Sequence, residues 1–265
     1  MSEMPRLGKV YLVGAGPGDP GLLTVRGAEV LSLCDVVVYD ALANEVLLNY
    51  APAEAERIFV GEAHAAHRLT QEEVLRLMID RARRGLQVVR LKGGDPFIFG
   101  RGGEEALALR AAGIPFEVVP GVSAGHAVAA YAGIPLTHRH LASSVAFVTG
   151  HECAESRRPV RWEAVAHAVD TLVIFMGAGR LSQIVKRLLQ AGLAPETPIA
   201  IIERGTYPDQ RVRVATLGTI LTHVAGEPVR SPALIVVGDV VALREQLAWF
   251  EERDVSAAVV EGQGA

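Results

Sequence analysis

The run VVRLKGGDPFIFGRGGEE, from Val88 to Glu105, leaves the chain few folds to choose from. It opens as a short apolar strand, Val88 to Leu91, and becomes a helix from about Glu104 through Leu109. Between them lies a turn holding Gly93, Gly94, Gly100, Gly102 and Gly103 together with Asp95, Pro96 and Arg101. Paired glycines at a strand end remove the Cβ atoms that would keep a ligand off the backbone. Asp95 offers a fixed acceptor for hydroxyls or a cation, and Pro96 stiffens the exit. In an open α/β sheet, ligands bind at the carboxyl ends of strands. A tight strand-to-helix turn with Asp95 as N-cap is the plainer alternative. It leaves the remaining glycines and the lone Arg101 without a reason, so a binding loop is expected.

The rest of the chain repeats the alternation of strand and helix that defines an α/β protein. Val10–Val13 reads as a buried first strand, followed by the loop Gly14-Ala15-Gly16-Pro17-Gly18-Asp19-Pro20 and a helix capped by Thr24, through about Leu33. Asp35–Asp40 is a second strand that ends in an acid. This imitates a dinucleotide fingerprint, except that Asp19 replaces the third glycine. A carboxylate there would repel a pyrophosphate, whereas a ligand without phosphates meets no such objection. A short helix is expected over Ala41–Tyr50 and a strand over Arg57–Val60. The next helix has Thr70 as N-cap and Glu73 completing a capping box, and Gly85 ends it. Phe116–Val119 is a further strand, and Ser123, Ala124, Gly125, Ala129 and Ala130 lie along the turn and helix after it, a helix expected over Ala127–Ala132. These small residues suit either close approach of a flat ligand or ordinary helix packing.

The pattern changes between Pro120 and Leu141. Domains of 1–120 and 121–250 are expected, with 251–265 a disordered tail. In the second, strands are expected at Val145–Thr149, Thr171–Met176, Pro198–Ile202, Arg211–Val214 and Ala233–Val237. A polar loop is expected over Gly150–Arg161 and an amphipathic helix over Leu181–Leu189. The Arg211–Val214 strand alternates and is expected to pair antiparallel. A net charge of −4 argues against nucleic acid as a partner. No apolar run is long enough to span a bilayer, and the opening MSEMPRLGK has no signal-like hydrophobic core. A cytoplasmic protein is expected. His64 and His67 have no third ligand nearby, and Cys34 and Cys153 cannot make a four-ligand site, so no metal is expected.

RLKGGDPFIFGRGGEE strongly resembles the tetrapyrrole methylases, and VYLVGAGPGDPGLLT, DVVVYDAL, AGIPFEVVPGVSA, YAGIPLTHR and SPALIVVG follow the same family in order, from Val10 to about Phe250. The resemblance implies two α/β domains with a cleft between them, usually as a homodimer. It implies S-adenosylmethionine as methyl donor, leaving as S-adenosylhomocysteine. By matching motifs, the donor would be held by Pro17, Gly93, Gly94, Asp95, Ile98, Ser123, Ala124, Met176 and Gly205. The implied acceptor is uroporphyrinogen III, methylated twice to precorrin-2 on the way to sirohaem or cobalamin. Arg101 and Arg139 are the candidates to grip its carboxylates, because a guanidinium can do so bidentately. Glu104 could orient Arg101 from three residues away, and Lys92, His138 and His151 are further candidates. Asp40 matches the family's base for the proton that carbon methylation releases. Three positions depart from the family, all on the acceptor side: Glu62 for a lysine, Ala41 for an arginine and His140 for an aspartate. They leave open a methylase of a later precorrin, or a non-catalytic module that binds the donor only.

Overall fold

The computed structural model describes residues 7–61, 69–151 and 159–250. Glu62, His64, His67, Cys153 and the tail 251–265 lie outside them. The chain divides into two compact units, the first ending at Ala124 and the second beginning at Gly125. The division falls a few residues beyond Pro120, where the sequence pattern places it.

The first unit comprises β1 (Val10–Gly14), α1 (Val25–Ser32), β2 (Val36–Tyr39), β3 (Glu56–Phe59), α2 (Gln71–Arg83), β4 (Val88–Lys92), α3 (Gly102–Ala111) and β5 (Phe116–Val119). The strands form one parallel sheet in the order β3-β2-β4-β1-β5. Side chains alternate across it because the strand period is two. Val13, Val37, Val89, Leu91 and Val119 face α1 and the 3-10 segment Glu45–Tyr50. Val10, Leu12, Val36, Val38 and Val88 face α2 and α3. Burial on both faces explains why β1 and β2 read as near-continuous apolar runs. Thr70 and Glu73 form the expected capping box, and Thr24 caps α1 by accepting from Gly27 N–H at 3.1 Å. The stretch expected to be helical from Ala41 is a turn followed by 3-10 helix, because Asn44 caps at Val46 N–H and starts the helix only there.

The second unit holds α4 (Ala124–Tyr131, all but its first residue), β6 (Val145–Thr149), α5 (Trp162–Ala168), β7 (Thr171–Phe175), α6 (Leu181–Gln190), β8 (Pro198–Glu203), β9 (Arg211–Thr216), α7 (Ile220–Val224), β10 (Ala233–Val237) and α8 (Arg244–Leu247). The sheet order is β6-β7-β10-β8-β9. Only β6 and β7 run parallel; β10 is antiparallel to both its neighbours and β9 is antiparallel to β8, as its alternation implies. Val148, Leu172, Ile174, Ile199, Ile201 and Ile235 pack against α5 and α6. The sequence gives little sign of α5, which turns only Trp162 and Ala166 inward. α4 begins at Ala124, three residues before the expected start, so Gly125 and the exposed His126 belong to the helix.

Glu117 on β5 accepts from Lys9 Nζ at 2.7 Å and from Arg26 on α1 at 2.9 and 3.2 Å, tying an edge strand to the start of its neighbour β1 and to α1. The hydrogen bonds from Arg26, then Lys9, hold its carboxyl at about 2, below the ordinary 4.5. A depressed carboxylate pKa contributes stability that is complete above the unfolded value and is lost as pH falls through the folded one. These cations are partly exposed, so Glu117→Gln should cost about 1 kcal/mol at pH 7 in urea unfolding. The gap from the parent should close as pH falls from 4.5 to about 2.

Candidate functional site

Three loops meet at the carboxyl ends of β1, β4 and β5. The loops after β1 and β4 are zipped together: Gly94 N–H donates to Gly16 O at 2.7 Å and Gly16 N–H to Gly94 O at 3.2 Å. Gly14 and Gly121 approach backbone to backbone, and a Cβ on Gly121 would fall 2.6 Å from Gly14 Cα. Gly94 differs from both. It is buried, its φ is +69°, and a Cβ there would meet only the Ala124 amide nitrogen, at 3.6 Å. Its open side is therefore backbone that a ligand can lie against.

Gly93, Gly100 and Gly102 serve the loop itself. The space beside Gly93 is occupied by Leu42, whose Cβ would lie 2.5 Å from an added one. Cβ atoms at Gly100 and Gly102 would collide with the Pro96 carbonyl and the Phe97 ring. Of the glycine pair expected to admit a ligand, only Gly94 has the room. Asp95 is also more occupied than expected: Oδ1 accepts from Phe97 N–H at 2.8 Å and Ile98 N–H at 3.2 Å, and Oδ2 from Gly121 N–H at 3.0 Å. It holds its own loop and staples it to the one after β5, but it is not the N-cap of the plainer alternative, because α3 begins only at Gly102 with Arg101 as its N-cap. Ile98 is exposed beside Phe97 and Phe99, while Ser123 is buried. Asp19 accepts from Gly21 N–H at 2.8 Å and caps the 3-10 turn Pro20–Leu22, next to Pro17 in the β1 loop.

Charge is concentrated on β4. Arg90 and Lys92 project to the α3 face, each only 5% exposed, against Glu105, which is 0% exposed. Glu105 Oε1 accepts from Lys92 Nζ at 3.0 Å, Gln71 at 2.9 Å and Arg90 Nε at 3.4 Å. Its Oε2 is buried with no hydrogen-bond partner among the described residues. Arg90 Nη2 donates to Asp40 Oδ2 at 2.9 Å, while Asp40 Oδ1 accepts from Leu42 N–H at 3.1 Å. Burial, then the charge on Arg90, press the Lys92 pKa down, against the pull of Glu105. Lys92 is thus an internal counter-charge, and the expectation that it might grip an acceptor is corrected. Arg90 and Glu105 went unremarked in the sequence; the signal available was two cations two residues apart in a strand otherwise made of valine and leucine.

Arg101 caps the start of α3 in the left-handed region, with φ 59°. Its Nε lies 2.5 Å from Glu104 Oε2, and both side chains are largely exposed. In the second unit, Arg139 is exposed in the turn closed by the His138–Ala142 bridge and makes no ion pair with another described residue. His138 Nδ1 accepts from His140 N–H at 3.4 Å, and His151 N–H donates to Thr149. Met176 follows β7 with φ 54° and 51% exposure. The space beside Gly205 is filled by Val128, 2.3 Å from an added Cβ, and that beside Gly125 by the Phe147 and Phe175 rings. These glycines serve packing. Among the described residues no group of three His, Cys, Asp or Glu could hold a metal ion.

β1 and β4 are neighbours whose following helices lie on opposite faces of the sheet, which is the switch point at which such folds bind ligands. Sheet and loops together make an α/β unit with bare backbone at the edge where such sheets take their ligands. The chain belongs to the tetrapyrrole (corrin/porphyrin) methylases, whose family model matches residues 9–221. It is 47% identical over 257 residues to the uroporphyrinogen-III C-methyltransferase of Bacillus subtilis, covering 96% of this chain and 100% of that one. It is 51% identical to the siroheme synthase of Azotobacter vinelandii over 93% of its own length and 53% of that protein. The chain thus spans about half the length of the siroheme synthases it matches. The uroporphyrin-III C-methyl transferase of Thermus thermophilus, solved with S-adenosyl homocysteine, matches with a TM-score of 0.76 and 44% identity, over 89% of this chain and 100% of that one.

The glycines divide by what their missing Cβ would meet. Gly121→Ala should force the three strand ends apart and cost about 1–3 kcal/mol. Gly103→Ala, in α3 with nothing within 4 Å of the new methyl, should gain about 0.5–1 kcal/mol. Thermal unfolding of the two variants beside the parent checks both signs.

Proposed function

We propose that this chain is an S-adenosylmethionine-dependent uroporphyrinogen-III C-methyltransferase, converting uroporphyrinogen III to precorrin-2 by two methylations. The observation that carries the reading is the open backbone face at Gly94, set where β1, β4 and β5 end. It fits a flat, phosphate-free nucleoside better than a dinucleotide. The full-length similarity to the Bacillus enzyme and the S-adenosyl homocysteine in the Thermus one support the donor.

When bound, the donor supplies a methyl group already activated on a sulfonium, so the protein's task is alignment more than acid–base power. Gly94 and Ala124 would give it a backbone wall, and Asp95 keeps the loop carrying Ile98 in one shape. Pro17, Ser123 and Met176 stay in the proposed donor set on their motifs; Gly93 and Gly205, whose Cβ space Leu42 and Val128 fill, stay in it through their backbone groups alone. For the polycarboxylate acceptor, Arg101, oriented by Glu104, and the exposed Arg139 supply the positive charge that a chain of net charge −4 must concentrate locally. Asp40 takes the proton that carbon methylation releases. A homodimer acting in the cytoplasm belongs to the same proposal; among the described residues, no helix is long and apolar enough to cross a membrane.

Conversion of the donor to S-adenosylhomocysteine in the presence of uroporphyrinogen III tests the whole reading. Tight donor binding without turnover would favour a different precorrin or a binding module. Gly94→Val should abolish S-adenosylhomocysteine binding in calorimetry, and an unchanged affinity would remove the donor from this face. Arg101→Leu and Arg139→Leu should each lower kcat/KM about 10- to 150-fold while leaving donor binding intact.

A further inference from the structure

We infer that Arg90 is a positioning residue for Asp40, and that Glu105, buried behind it, keeps Arg90 in place. The inference rests on the proposed role of Asp40. Register places Arg90 opposite Val38 on the neighbouring strand, two residues before Asp40. From there its guanidinium reaches four acceptors: Val38 O at 3.3 Å, Leu91 O at 3.1 Å, Asp40 Oδ2 at 2.9 Å and, through Nε, Glu105 Oε1 at 3.4 Å. With Leu42 N–H on Oδ1, the Asp40 carboxylate is held at both oxygens.

Stability alone does not account for this arrangement. Buried ion pairs can often be replaced by well-packed apolar residues at no loss, because desolvation offsets the attraction. A cluster built only to stabilise the sheet would also satisfy its acceptors, yet Glu105 Oε2 is left without a partner among the described residues. Arg90, Lys92 and Glu105 are all closed off from water, and Asp40, with 26% of its side chain exposed, is the one group of this ion-pair chain that reaches the surface. The chain of contacts runs from α3 through β4 and ends on the carboxylate at the tip of β2. Its direct effect is to fix where that carboxylate stands.

The test is a double-mutant cycle with uroporphyrinogen III, using the full chain. Arg90→Gln, Arg90→Lys, Glu105→Gln and Asp40→Asn are compared with the Arg90→Gln/Asp40→Asn pair, and S-adenosylhomocysteine calorimetry reports on folding. Arg90→Gln should bind S-adenosylhomocysteine like the parent, keep KM within about threefold and lose about 10- to 100-fold in kcat. Arg90→Lys, which keeps the charge, should recover part of the rate. In the Asp40→Asn background, Arg90→Gln should change kcat by less than about threefold. A full Arg90 effect in that background, or parental kcat in Arg90→Gln, would overturn the inference. If Arg90→Gln loses donor binding, Glu105→Gln replaces it in the same cycle. Loss of binding in both assigns the cluster to folding and overturns the inference as well. A parent without turnover, or Asp40→Asn at the parental rate, instead sinks the proposed function on which the inference rests.

Discussion

The first unit depends on an approach of main chain to main chain. Gly14, Gly94 and Gly121 bring the ends of β1, β4 and β5 so close that a single methyl group on Gly14 or Gly121 would not fit. Sheet hydrogen bonding sets strand spacing only within the ladder. Beyond it, the loops would diverge unless something held them. Here the Gly16–Gly94 bridge and the Asp95 contact to Gly121 hold them. Two of the three glycines are consumed by this packing. Gly94, where an added Cβ would meet only the Ala124 amide nitrogen, is the one with room beside its backbone.

The same strand, β4, carries the second cost of the unit. Placing Arg90 and Lys92 inside it requires Glu105 to be buried as well, and removing one partner of such a group typically costs about 3–5 kcal/mol. The second unit has a smaller counterpart. Arg213 on β9 donates to the buried Glu203 on β8 at 3.1 and 3.3 Å, across an antiparallel ladder. Both sheets thus carry a buried cation–carboxylate pair that extends to a more exposed acid, Asp40 at a strand end in the first and Glu227 in a loop in the second.

Much of the first unit is legible in the sequence because strands buried on both faces announce themselves by composition, and Thr24, Thr70 and Gly85 mark helix ends by local chemistry. The glycine run is legible as important and only partly as to why. Nothing in the order of residues tells Gly93, filled by Leu42, from Gly94, which is open. Asp95 poses the same difficulty: an acid in a loop can hold a ligand or the loop, and its three backbone donors become visible only in space. α5 escapes because two inward residues make too short a periodic signal. The contact between Arg90 and Asp40 escapes because strand order, on which it depends, is not written locally: β2 and β4 are neighbours although β3 separates them in the chain.

The place of β10 has a consequence for the order in which the molecule can be made. The first sheet is joined by its fourth strand, β4, which enters between β1 and the β2–β3 pair, and its last strand, β5, then adds at an edge. The second sheet has its final strand in the middle, between β7 and β8. Until Ala233–Val237 has been synthesised, β6–β7 and β8–β9 are two separate ribbons with no partner between them. Pairings of long sequence separation are slow to form, and unpaired strand edges invite association between chains. The second sheet therefore stays unjoined until Ala233–Val237 is made, late in a unit that begins at Gly125.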